Sequence, residues 1–221
     1  MAFSKIQEVH DFSSFTALGL TFSSNVTIGN LIIVQMLFGQ ITSTVSVSDN
    51  LGNTWIPIET QIVDSGNAGK VAAFYAIANS TGSCTFTFAH ASGPALVNTL
   101  PQGVEFHNTS SPITLETSAT LLSSSNSTSP HCPITVTGAA DLIIAVCAPR
   151  SGTTIHPDTG WLQASATLTD FSLIYGIETS SGLFTPQYVM SISGGWGVIA
   201  AAFALQASSK GNSLMLRGSG Q

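Results

Sequence analysis

Charged side chains are scarce in this sequence: five Lys and Arg and 11 Asp and Glu in 221 residues, 7% of the chain, against about 25% in ordinary soluble domains. Five cations and a formal net charge of -6 do not make the phosphate-neutralising footprint that nucleic acid requires, so nucleic acid is not expected as a partner. The polar surface must then be built from Ser, Thr, Asn and Gly, a composition common where a protein lies outside a cell or packs against copies of itself. Cysteine is also sparse, with only Cys84, Cys132 and Cys147, too few and odd in number for a disulfide framework. The longest apolar run near the C-terminus, VIAAAFAL at residues 198–205, is far short of the ~20 residues of a membrane helix, so no membrane span is expected. The opening MAFSKIQEVH lacks the apolar core of a secretory leader. Either a leader was removed, or the protein reaches its destination without one, as a virion component released by lysis would. No segment of a dozen residues carries helical period with caps, and no G-x-S-x-G elbow is present. The five histidines lack the close spacing of a metal site on one strand or helix.

What is abundant is β grammar. The apolar run NLIIVQMLFG at residues 30–39 is hydrophobic on both faces, as a central strand would be. It leads into SVSDNLGNTW at residues 46–55, where Asp49, Asn50, Gly52 and Asn53 supply turn chemistry between two extended stretches. The same order returns as DLIIAVCAP at residues 141–149 followed by Pro157-Asp158-Thr159-Gly160-Trp161. Further along, AFYAIANSTG is answered by LIYGIETSSG, and QGVEFHN stands where WGVIAAAFAL does. These matches predict an all-β protein with a jelly-roll-like β-sandwich of two related halves spanning residues 1–207; two tandem immunoglobulin-like domains are the alternative. The halves fall at about 1–108 and 130–207, joined by a Ser- and Thr-rich connection over 108–129 that is expected to cross the outside of the fold. Residues 208–221 form a C-terminal tail.

The segments FSSNVTIGNLIIV, SVSDNLGNTW, VAAFYAIANSTG and GVEFHNTSSPI, in that order, with a closing Ala201-Ala202-Phe203, resemble a repeat-like module found in secreted or surface proteins of soil bacteria and in phage virion proteins. That family's grammar runs "GDLLVV", "VSDSLGNTY", "YYAKN", "EYSG…NPLD" and a terminal "AAF". The resemblance covers nearly all of residues 6–206, and departs at Phe106-His107, where the family carries Tyr-Ser. It implies a non-enzymatic extracellular or virion β-sandwich and brings no catalytic residues with it.

Candidate sites are few. Asp49, Asn50 and Asn53 place three oxygen-bearing side chains about a glycine corner that would hold Ca²⁺ if backbone carbonyls completed the shell; capping of local N–H groups in an Asx turn is the commoner use. Trp55, Trp161, Trp196 and Tyr188 could stack on sugar rings if exposed, against core packing as the alternative. Glu59, Glu105, Glu116, Asp141, Asp170 and Glu178 are too dispersed to name a glycosidase pair. A hairpin about Ala139 and Ala140 would set Cys132 opposite Cys147, making a disulfide geometrically conceivable, with two small buried hydrophobes as the competing reading. In the tail, Leu214, Met215, Leu216 and Arg217 form an apolar knot with a cation, expected to dock on a neighbouring subunit. The functional expectation is a structural or decoration protein of an extracellular assembly such as a phage virion, needing no cofactor. A carbohydrate- or receptor-binding module stands second, and a glycan-active enzyme third.

Overall fold

The computed structural model describes residues 3–11, 18–39, 44–59, 62–63, 70–90, 99–107, 112–137, 141–149, 153–166 and 171–205. The tail candidates Leu214, Met215, Leu216 and Arg217 and the carboxylate Asp170 lie outside them. The fold is all-β. Among the described residues no helix is long and apolar enough to cross a membrane.

The first half comprises β1 (Ser4–His10), β2 (Gly19–Thr21), β3 (Leu31–Phe38), β4 (Val45–Asp49), β5 (Ile56–Pro57), β6 (Ile62–Val63), β7 (Lys70–Ile77), β8 (Thr85–His90) and β9 (Leu100–His107). The second comprises β10 (Ile113–Ser127), β11 (Ile134–Val136), β12 (Asp141–Pro149), β13 (Ile155–Pro157), β14 (Leu162–Gln163), β15 (Ile174–Glu178), β16 (Gly182–Phe184), β17 (Tyr188–Met190) and β18 (Gly194–Leu205).

Each half keeps its strands to itself. The first makes a large sheet in the order β1-β9-β3-β7-β5, with β6 also on β7, and a small sheet β2-β8-β4. The second repeats the large sheet position for position as β10-β18-β12-β15-β14, with the smaller pairs β11-β16 and β13-β17 beside it. The register repeats too. Phe106 lies opposite Leu31 and Glu105 opposite Ile32, just as Phe203 lies opposite Leu142 and Ala202 opposite Ile143. Even the bulge recurs, at Ile6 between Lys5 and Gln7 of β1 and at Glu116 between Leu115 and Thr117 of β10.

Alternation along the central strands distributes the core. Leu31 and Ile33 of β3 join Leu142, Ile144 and Val146 of β12 in a cluster shared by both halves. The intervening Ile32, Val34 and Met36 face Phe86 and Phe88 of the first small sheet. Ile143, Ala145 and Cys147 likewise face Ile134, Ile155, Tyr188 and Met190. The two large sheets therefore lie back to back, each with its own small sheet outside, which is why β3 and β12 are apolar on both faces.

A pseudo-two-fold relation between the halves shows in the shared layer. Tyr75 of the first half meets Phe203 of the second edge to face at 5.1 Å, and Phe106 of the first meets Tyr175 of the second at 5.3 Å. A buried polar contact also crosses between the halves. Gln102, fully buried, accepts from Gln35 Nε2 at 2.5 Å and, across the halves, from Leu173 N at 2.9 Å. Lys5 Nζ donates to Ala164 O, and Ser118 Oγ to Glu59 Oε1, so polar links at the rim also span the halves.

Two expectations require correction. The stretch 108–129 is not a mere connection: residues 113–127 form the longest of the described strands, laid along β18. Ser and Thr in such a strand read as loop by composition, but Ile113, Leu115, Ala119 and Leu121 pack on the cores. Nor do β11 and β12 form a hairpin. Both edges of β12 are occupied, by β15 and β18, and β11 pairs with β16 instead. Cys132 and Cys147 are accordingly buried thiols with no disulfide between them.

Candidate functional site

The first corner is organised by one carboxylate. Asp49 Oδ1 accepts from Leu51 N at 2.7 Å and from Asn53 N at 3.3 Å, while Oδ2 accepts from the indole Nε1 of Trp55 at 2.5 Å. Gly52 takes φ +69°, a left-handed conformation that a β-carbon would strain. Asn50 is turned away to the neighbouring strand, donating to Ser83 O and accepting from Thr85 N. Asn53 Oδ1 accepts from Asn79 N. The three side chains thus point at three different sets of partners, and N–H donors stand where a cation would have to sit. As arranged, this donor set does not fit Ca²⁺; it is Asx-turn chemistry. The second corner is a thinner version, with Gly160 at φ +95° and Asp158 Oδ1 accepting only from Thr159 N.

The four aromatic candidates divide. Tyr188 and Trp196 are 1% and 2% exposed and belong to the core of the second half, so neither offers a ring to a ligand. The Tyr188 hydroxyl donates to Ala145 O at 2.7 Å, with Ser172 O a second acceptor at 3.1 Å, and burial pushes its pKa well above the usual phenol range. Trp196 packs against His131. Trp55 and Trp161 are half-buried at matching places, each just before the short edge strand of its large sheet. Trp161 lies over Gly176, where a β-carbon would come within 3.0 Å of its ring.

Thiol chemistry is suppressed by burial, which pushes Cys84 up to about 12 and Cys132 up to about 11. Burial thus disfavours the thiolate that a nucleophile requires at both positions.

Two polar clusters escaped the sequence reading, both at the end of the large sheets where the β1 and β10 bulges lie. In the first half Glu105, fully buried, accepts from Gln7 Nε2 at 2.6 Å, Thr27 N at 2.9 Å and Asn30 Nδ2 at 2.6 Å. Asn30 Oδ1 is in turn within 3.0 Å of His107 Nδ1. The second half places Ala202 where Glu105 stands, and Asp141 where Asn30 stands.

Of the dispersed carboxylates, the fold brings together Asp141 and Glu116. Asp141 is 1% exposed. Burial, and then the hydrogen bond and charge of Glu116, raise its carboxyl to about 6. Neither Asp141 oxygen meets a hydrogen-bond donor among the described residues, so burial and the neighbouring Glu116 carboxylate favour its protonated form with no N–H or cation to offset them. Glu116 Oε1 accepts from Thr137 N at 2.5 Å and also from the Thr137 hydroxyl. The only signal in the sequence was an acid at the start of an apolar strand.

The sign of the pH effect follows. Asp141 titrates at about 6 folded against 3.8 ordinarily, so between those values the native state holds a proton that the unfolded chain has released. Its contribution to stability is fully present below about pH 4. It is lost as pH rises through about 6. The ceiling is roughly 3 kcal/mol, and solvent screening at the strand end brings it to about 1–2 kcal/mol. Asp141→Asn, which copies Asn30, is therefore expected to melt about 2–6 °C above the parent at pH 8. That difference should close by pH 4 in calorimetric scans; an advantage that persisted at pH 4 would refute the raised titration of Asp141.

Comparison with protein-family models, curated proteins and solved structures returns no match. Geometry alone therefore bears on what the chain does. Among the described residues, the polar side chains singled out from the sequence act mainly as turn caps, links between strands or buried acid pairs.

Proposed function

We propose that this protein is a non-enzymatic structural component of an extracellular assembly, such as a decoration or tail protein of a phage virion, working by packing against copies of itself or other surface proteins. The observation that carries the reading is the commitment of Asp49, Asn50, Asn53, Glu105 and Tyr188 to hydrogen bonds that hold corners and strands together. The low charge supports it, since a surface of Ser and Thr carries little like-charge repulsion between copies. Light scattering after size-exclusion chromatography tests it. A discrete homo-oligomer at micromolar concentration is the expected result, and a monomer at every concentration up to ~1 mM would overturn self-assembly.

A carbohydrate-binding module is the second reading, favoured by the matched, half-buried indoles of Trp55 and Trp161. A glycan panel that raised the melting temperature of the parent but not of Trp161→Ala would put this reading first.

A further inference from the structure

The two large sheets have four outer edges, and they are not alike. On one side the edges are β5 followed by β6 in the first sheet and β14 in the second, each two residues long, with Pro57 in β5. On the other they are β1 and β10, which occupy equivalent places in the two halves. β1 is seven residues long and carries Lys5, Glu8 and His10. β10 is 15 residues long, about 50 Å of extended chain. From residue 117 to 127 it reads TSATLLSSSNS, without a charge or a proline. Its one carboxylate, Glu116, is engaged at the bulge with Thr137 and Asp141. Among the described residues no strand pairs with its outer side. Short edges, charges and proline are the devices that keep β-sheet edges from pairing. Three of the four edges have them, and the regular part of β10, residues 117–123 between its two bulges, has none.

We propose that the outer edge of β10 pairs with β10 of a second copy of this chain, antiparallel, joining two five-stranded sheets into one. The occupant is argued from charge. In a chain of net charge -6, a two-fold contact sets each surface against itself, so it has to lie where no carboxylate meets its own image. With the dyad at Thr120, Ser118 faces Leu122, Ala119 faces Leu121 and Thr117 faces Ser123. No charge opposes its like. Leu122, 51% exposed in the single chain, would gain cover from the neighbouring strand. This pairing rests on the self-assembly reading and specifies its contact.

The test uses the full chain beside Thr120→Lys/Leu122→Lys, which sets two cations on an edge already exposed at both positions. The expected result is a mass that falls from a multiple of two chains to one chain of 22.8 kDa, with an unchanged circular dichroism spectrum. Hydrogen exchange on the parent supplies a readout that does not depend on the variant folding. The amides of residues 117–123 that point away from β18 should gain at least tenfold protection between dilute and concentrated samples. An oligomer that keeps its mass in the variant, or leaves those amides unprotected, overturns the β10 contact while leaving self-assembly standing. A parent that stays monomeric overturns both.

Discussion

Phe203→Ala is expected to destabilise the protein by about 3–5 kcal/mol, the range for truncating a buried Phe, lowering the melting temperature by roughly 10 °C in a chain of this size. Phe203 is fully buried, and it lies in the layer that both halves share. Its ring meets Tyr75 of the first half edge to face, so the truncation opens a cavity between the sheets and removes a contact across the halves. Phe106 is its counterpart by register, fully buried against Tyr175. Phe106→Ala should cost a similar amount and, because both cavities open in one layer, should leave unfolding a single transition by denaturant titration. A double-mutant cycle between Tyr75 and Phe203 should return about 0.5–1.5 kcal/mol of coupling. Losses below 1 kcal/mol at both Phe positions would mean that the large sheets do not pack on one another as described.

Glu105→Ala should cost about 3–5 kcal/mol, because it leaves three donors facing an apolar methyl group. Gln7 Nε2, Thr27 N and Asn30 Nδ2 all converge on that carboxylate, the first two bonds part-buried and the third buried, and a buried donor left without an acceptor carries its desolvation penalty. Glu105→Gln retains one acceptor oxygen but turns an amide toward a donor, so it should lose about 1–3 kcal/mol. The second half makes the comparison natural, since Ala202 occupies the matching place without harm. There the position equivalent to Asn30 holds Asp141, whose side chain brings no amide N–H that would need a carboxylate opposite it. Equal stability of Glu105→Ala and the parent in urea titrations would show that the three donors find other acceptors.

Much of the fold was legible. The doubly apolar runs at residues 30–39 and 141–149 announced strands buried on both faces, and β3 and β12 are those strands at the centres of the two large sheets. The Asp, Asn and Gly of residues 49–53 announced a corner, and Gly52 takes the left-handed conformation there. The parallel motifs suggested two related halves, and the large-sheet orders β1-β9-β3-β7-β5 and β10-β18-β12-β15-β14 correspond strand for strand. β10 was less legible, since nine of its 15 residues are Ser, Thr or Asn outside any strict alternation; pairing with β18 made it a strand. The Cys132 and Cys147 register could not be read locally, because whether β11 may pair with β12 depends on β15 and β18 reaching β12 first. Trp196 and Tyr188 were open to either role from sequence, and the small strands that cover them decide for the core.

By itself, then, the sequence determined the strand class, the turn at Asp49 and the scarcity of charge, because strand period and turn chemistry depend on residues close together along the chain and composition needs no structure at all. The tertiary structure alone decided which sheet covers which apolar face, that Asp141 lies beside Glu116, that Tyr75 and Tyr175 cross to Phe203 and Phe106, and that residues 117–123 of β10 have no strand on their outer side among the described residues. Side-chain period marks a face as apolar or polar. It carries no record of what lies opposite, which is set by the packing of strands distant in sequence.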